Sequence, residues 1–215
     1  MMIKAIQLFR KNRSRILELG FIYDWWAEQT PALQKQFDEI LRAQIVLTVS
    51  AFDTFVHDCV RIGMVRQFTK SGNLSKSLKK YAIPFEDFQI INNLSTFPDK
   101  VMYLDGVIKK INSKYSYQSP ANVEYALGLL GVSNIWTKVS SMMRIPANDV
   151  KAELANIVNR RNKIAHEADM DIFGVSLNPI KKAEVMHVMD FMYGLSISIY
   201  QLVKRIDTAH NPSNS

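Results

Sequence analysis

VKAELANIVNRRNKIAHEADM, residues 150–170, reads as a helix with two irregularities. Pro146 followed by Asn148 and Asp149 supplies helix-starting residues. Leu154, Ile157, Val158, Ile164 and Ala165 then recur at helical spacing. At about 100° per residue they fall within roughly 60° of one direction, a core-facing stripe. Arg161 stands in the middle of that stripe, where a guanidinium is costly unless it is paired or opens onto a cleft. Asn159, Asn162 and His166 follow an i, i+3, i+7 pattern and form a polar seam on another face. The helix therefore carries an arginine among apolar neighbours and a histidine on a polar track.

Working outward, the flanking sequence is also helical. Upstream, Thr30 and Pro31 have the chemistry of an N-cap and a first helical residue. They predict a long helix over 31–69, with a stripe through Leu33, Phe37, Leu41, Phe52, Phe55 and Cys59. Val46, Val49, Val56 and Val60 widen that stripe, so the helix is buried on more than one side. Downstream, 169–177 contains Gly174 and no stripe, which predicts a loop or a very short strand pair. Asn178 and Pro179 open a last helix near 179–207, expected to pack antiparallel to the helix at 31–69. Its Met186, Met189 and Met192 are either flexible core fillers or part of a dimer contact.

The remaining segments are shorter. Residues 2–19 form a basic amphipathic pattern that Gly20 is expected to end or bend. It is either a peripheral helix with a solvated basic side or an RNA-contacting arm. Residues 70–83 are lysine-rich, with Gly72 and Asn73, and predict a loop with a short helical piece. Short helices are expected at 84–94, 98–113, 121–131 and 133–143, punctuated by Pro84, Pro98, Pro120 and Gly131. Tyr115, Tyr117 and Trp136 are core residues on one reading and base-stacking residues on the other. The expectation is an all-α, single-domain helical bundle, residues 1–215. Its long helices lie near 31–69, 148–168 and 179–207, 70–145 is an elaboration controlling substrate access, and 208–215 is a disordered tail.

Composition narrows the setting. The chain has 215 residues, 47% hydrophobic and 22% charged, enough for a real core. A net charge of +7 suits an acidic partner such as RNA. The single cysteine, Cys59, excludes a disulfide framework and favours a reducing compartment. No apolar run reaches the length of a secretory core or a membrane span, so a soluble, cytoplasmic protein is expected. There is no C-x-x-C, no His pair at i, i+4 and no Gly-rich phosphate loop, so neither metal nor cofactor is expected. Nor is there a helix-turn-helix segment, which disfavours a DNA-binding regulator. His57 beside Asp58 reads as surface decoration.

The two irregular residues have a structural reading, Arg161 closed on a core acid such as Asp53 and His166 at a helix C-terminus favoured by the dipole, and a chemical one, RNA cleavage. RNA carries its own nucleophile, the 2′-OH. Cleavage needs a base for that proton, an acid for the 5′-oxygen and positive charge for the phosphate. Histidine suits both proton roles near neutral pH, and arginine's fork matches phosphate oxygens. Arg161 and His166 are the candidate catalytic pair. Asn162, four residues before His166, can orient it or touch phosphate, while Arg160 and Lys163 would stand outside and steer RNA in. Two difficulties remain: the motif holds one histidine, and five residues on an ideal helix separate the pair by about 140°. A two-fold homodimer answers both by placing two arginines and two histidines in one cleft.

Arg161-Asn162-Lys163-Ile164-Ala165-His166 reads R-N-x-x-x-H and resembles the R-x4-6-H signature of HEPN domains, in the form of the RiboL-PSP-HEPN branch. The resemblance implies a helical bundle, a metal-independent endoribonuclease of toxin, abortive-infection or anti-phage systems, and an active site at a dimer interface. An antitoxin or sensor protein is a candidate partner, and the sequence leaves open whether one controls the chain. Acids occur on the long helix of such relatives, so Asp53 is either an ordinary solvated residue or the partner of Arg161. The alternative expectation is a catalytically silent HEPN module that binds RNA or a partner protein, with Arg161 closed against an acid.

Overall fold

The computed structural model describes residues 2–30, 34–69 and 74–209, with only the backbone at Gln34 and 206–209. Pro31, Leu33, Gly72, Asn73, the Ile206 side chain and the tail from 210 lie outside the described residues. Among the described residues eight α-helices occur in order: α1 Met2–Gln29, α2 Gln34–Thr69, α3 Phe85–Asn93, α4 Phe97–Asn112, α5 Pro120–Gly128, α6 Ile135–Met143, α7 Ala147–His166 and α8 Lys182–Ala209. A 3-10 turn at Leu78–Lys80 is the helical piece of the lysine-rich segment. The fold is all-α. The expected strand pair reduces to one antiparallel bridge between Met170 and Leu177.

α2 is the central rod. It packs on α1, α8, α4, α7 and α5, and Leu41, Val49, Phe52, Val56, Cys59 and Val60 are fully buried along it. That is the physical meaning of its wide apolar stripe. Burial pushes the Cys59 thiol far above its ordinary range and Asp58 adds to the effect, so Cys59 is an inert core residue.

Side-chain pairs fix the helix directions. Tyr23 reaches Asp38, Gln44 reaches the Ile16 carbonyl and Phe9 meets Phe55, so α1 runs antiparallel to α2. Lys182 reaches Asp24, Arg13 reaches Asp190 and Phe9 stacks on Tyr193, so α8 is antiparallel to α1 as well. α8 therefore runs parallel to α2, not antiparallel as expected. The cause lies in the connection: α7 returns the chain to the N-terminal end of α2, where Arg42 bonds the Asn178 carbonyl just before α8 begins. α7 itself is antiparallel to α8, with Glu153 facing His187 and Arg160 bonding Pro179 O.

Gly20 does not end α1, which continues to Gln29. It makes room instead: a Cβ there would stand 3.2 Å from Gln44 Nε2, which donates to Ile16 O at 2.8 Å. Thr30 closes α1, its hydroxyl donating to Trp26 O at 3.0 Å. α7 starts at Ala147, so Asn148 and Asp149 lie inside its first turn rather than at its cap. Tyr117 and Trp136 are buried and Tyr115 is exposed, so only Tyr115 keeps the ring access that stacking needs. Met189 and Met192 are buried, and Met186 packs against the core from its edge.

The α2–α5 side is packed tightly at Gly63. A Cβ there would lie 2.5 Å from Leu130 Cδ2. Gly63→Ala is expected to destabilise the protein by about 1–3 kcal/mol through overpacking, against a small gain in helix propensity. Urea unfolding checks it, and an unchanged or raised midpoint contradicts it.

Candidate ribonucleolytic site

α7 stays helical through His166, so the chain does not break between Arg161 and His166. The core stripe holds at Leu154 and Ile157, which are buried, while Val158 and Ile164 are half-buried against the core. Ala165 at its end is exposed. Arg161 is half-buried, and the Asn159, Asn162 and His166 seam lies on the accessible side.

Asn162 joins the two irregular positions. Its Oδ1 accepts from Arg161 Nη1 at 3.1 Å, and at i, i+4 it is about 40° from His166 on the helix. The guanidinium thus leans toward the histidine side of α7. Arg161 Nε is buried with no hydrogen-bond partner, and no carboxylate pairs with Arg161 among the described residues. His166 is exposed and makes no hydrogen bond among them. The site therefore holds an arginine with unused donors and an exposed histidine whose ring makes no hydrogen bond among the described residues.

Two sequence expectations fall elsewhere. Asp53 does not meet Arg161; its Oδ1 accepts from the Tyr117 backbone N–H at 2.6 Å and lies 3.8 Å from His57 Nε2. His57 is accordingly more than decoration, since it also bonds Tyr115 O at 3.2 Å and packs on the Tyr117 ring. Arg160 does not stand free to steer RNA. Its Nη1 donates to Asp169 Oδ1 at 2.6 Å and its Nη2 to Pro179 O at 3.1 Å. Lys163 is half-buried, and its carbonyl accepts from the Glu167 and Asp169 N–H groups.

Asp169 is the residue the sequence reading missed. Its side chain is 1% exposed and bridges two arginines, Arg160 and Arg42. Arg42, 5% exposed on the inner face of α2, donates Nε to Asp169 Oδ2 at 2.7 Å. Asn178 Nδ2 adds bonds to the Asp169 and Met170 carbonyls at 2.9 and 2.8 Å. Ala168 and Asp169 both take left-handed backbone conformations, with φ of 51° and 54°. Such positions cost on the order of 1 kcal/mol each in a non-glycine residue and persist only when the surroundings enforce them. This cluster stops α7 immediately after His166 and sets where that histidine stands. The one sequence signal was Arg42, a charge beside Leu41 and Ile45 on a buried face.

No group of three or more His, Cys, Asp or Glu side chains suited to a metal ion occurs among the described residues. Within them, no helix is long and apolar enough to cross a membrane.

A helical bundle whose penultimate long helix ends on an accessible R-N-x-x-x-H motif defines a HEPN-type architecture. The RiboL-PSP-HEPN family model matches residues 12–205, and the chain belongs to that family. Comparison with curated proteins and with solved structures gives no match.

Proposed function

We propose that this protein is a metal-independent endoribonuclease that cleaves RNA by attack of the 2′-OH on the adjacent phosphate. The observation that carries the reading is the state of Arg161: half-buried, with its Nε unpartnered and no acid neutralising it among the described residues. A silent module would close that arginine on a carboxylate, as happens to Arg160. Arg161 stabilises the charged phosphate, and His166 moves the proton. Asn162 holds the guanidinium toward the seam. One histidine serves each chain's motif, so the complete site is a homodimer in which a second copy supplies the second histidine. A toxin or anti-phage defence system, with a second protein controlling activity, is the setting that family membership favours.

The test is incubation of purified protein with tRNA and total RNA, with and without chelator. The expected products carry 2′,3′-cyclic phosphate or 3′-phosphate ends, and EDTA leaves the rate unchanged. Products with 5′-phosphate ends, or EDTA inhibition, overturn the mechanism. RNA binding without cleavage leaves the silent module instead. Sedimentation is expected to show a dimer, and full activity from a strict monomer would refute the composite site.

A further inference from the structure

The outer face of α1 is divided into a cationic half and an aromatic half. At about 100° per residue Lys4, Arg10, Lys11, Arg15, Phe21 and Trp25 fall within about 140° of arc, opposite the buried Met2, Ala5, Ile6, Phe9, Ile16 and Tyr23. All six outer residues are exposed. Residues 2–17 contain five cations and no acid. Arg13 is engaged by Asp190 and the Tyr193 ring. Lys4, Arg10, Lys11 and Arg15 pair with no acid among the described residues. The neighbouring helices do not cancel them. Over 190–207 α8 brings Asp190, Lys204, Arg205 and Asp207, which sum to zero. The acids of α2 alongside turn elsewhere: Asp53 accepts from the Tyr117 N–H and Asp58 from Arg61.

In the aromatic half Phe21 is 73% and Trp25 56% exposed. Trp26 stacks on Phe37 at 5.4 Å and meets Trp25 edge-on at 4.8 Å, which braces the outer ring. The acids of α1, Glu18, Asp24 and Glu28, all belong to this half, and Lys182 neutralises Asp24. This half also stands at the motif end of the bundle. Lys182 donates to Asp24, and three residues earlier the Pro179 carbonyl accepts from Arg160, the neighbour of Arg161. A row of cations without acids suits a phosphate backbone, and open rings suit unpaired bases. An anionic membrane fits less well. The middle of the face is Gln7, Lys11, Ser14 and Glu18, with no continuous apolar strip to enter lipid. We propose that α1 is a binding track for single-stranded RNA, with phosphates on Lys4, Arg10, Lys11 and Arg15 and bases on Phe21 and Trp25. The acids then face uncharged bases rather than phosphates. Lys4 to Trp25 spans about 30 Å, so the substrate is an RNA with an unpaired stretch beside the cut. The proposal rests on the RNA-cleavage reading for its ligand, though not for its geometry.

The test titrates a mixed-sequence single-stranded RNA oligonucleotide into full-length His166→Ala protein, which is expected to bind without cutting, over a range of salt. Adding Lys4→Gln/Lys11→Gln/Arg15→Gln is expected to lower the slope of log affinity against log salt by about two, at about 0.7 per phosphate contact on a single strand. Adding Trp25→Ala is expected to weaken the single strand about tenfold and to leave a duplex of the same sequence unaffected. Photocrosslinking of a thiouridine-substituted oligonucleotide to the unaltered chain is expected to mark residues 2–29, and it reads the site whether or not the variants fold. Crosslinks confined to other helices, an unchanged salt slope, or a duplex that loses as much as the single strand in Trp25→Ala each overturn the track. So does binding of phosphatidylserine vesicles, lost in the triple variant, in place of RNA. The two readings fail separately. Binding that depends on α1 without any cleavage by the wild-type chain sinks the nuclease and keeps the track. Cleavage with unchanged kcat and KM when the same α1 substitutions are made in the wild-type chain keeps the nuclease and sinks the track.

Discussion

His166→Ala is expected to slow RNA cleavage by roughly 10²–10⁴-fold, the usual contribution of a general acid or base. Histidine is the one motif side chain able to take and return a proton near neutral pH. The same substitution should leave stability within about 0.5 kcal/mol, because His166 is exposed and bonds nothing among the described residues. That pairing of a large kinetic effect with a flat melting curve separates a catalytic role from a helix-terminal one. Arg161→Ala should cost on the order of 10²–10³-fold by loss of phosphate stabilisation. Arg161→Lys should recover little, since an ammonium lacks the fork that reaches both phosphate and Asn162. A gel assay on a defined tRNA with a parallel thermal melt reads all three variants. A His166→Ala protein that cuts at the wild-type rate removes the basis of the proposed mechanism.

The helices were legible because their signals are local. Thr96 and Ser119 cap α4 and α5 through side-chain bonds, each with proline inside the first turn, and the stripes of α1, α2, α7 and α8 repeat at helical spacing. The Arg161-to-His166 motif was legible for the complementary reason, that an arginine breaks the stripe it interrupts. What escaped was set by distant partners. Gly20 looks like a terminator in sequence, yet its role is to admit Gln44 from another helix. The parallel course of α8 relative to α2 depends on where α7 delivers the chain, which no periodicity encodes. Arg160 and Arg161 are adjacent and chemically identical in sequence, and only the position of Asp169 divides them into a structural and an available guanidinium. Asp53 was judged by the helix it lies on, whereas its partner comes from the 113–119 connection.

Asp169→Ala should be the most destabilising single substitution in this region, at about 3–5 kcal/mol, the cost of stripping one partner from a buried ion pair. Arg42, 5% exposed, would keep only exposed Glu39 and the Asn178 carbonyl as counterparts, and Arg160 would lose its carboxylate outright. Against a total stability of roughly 5–15 kcal/mol this is a large share. For a chain of this length it corresponds to a melting temperature lower by on the order of 10 °C. The interaction should also be strongly coupled: Arg42→Ala in the Asp169→Ala background should cost far less than Arg42→Ala alone, because each removes the same pair. Asp169→Asn retains the shape but not the charge, and should fall between alanine and wild type. The consequence for the site follows from the chain path. Asp169 N–H bonds Lys163 O and holds the left-handed turn behind His166, so loosening it frays the end of α7 that carries the histidine. Activity should therefore fall in Asp169→Ala even at temperatures where the protein remains folded. In His166→Ala, by contrast, activity falls and the fold does not change. Thermal melts of the single and double variants decide the matter, and an Asp169→Ala protein melting within about 2 °C of wild type would show that the cluster does not hold α7 in place.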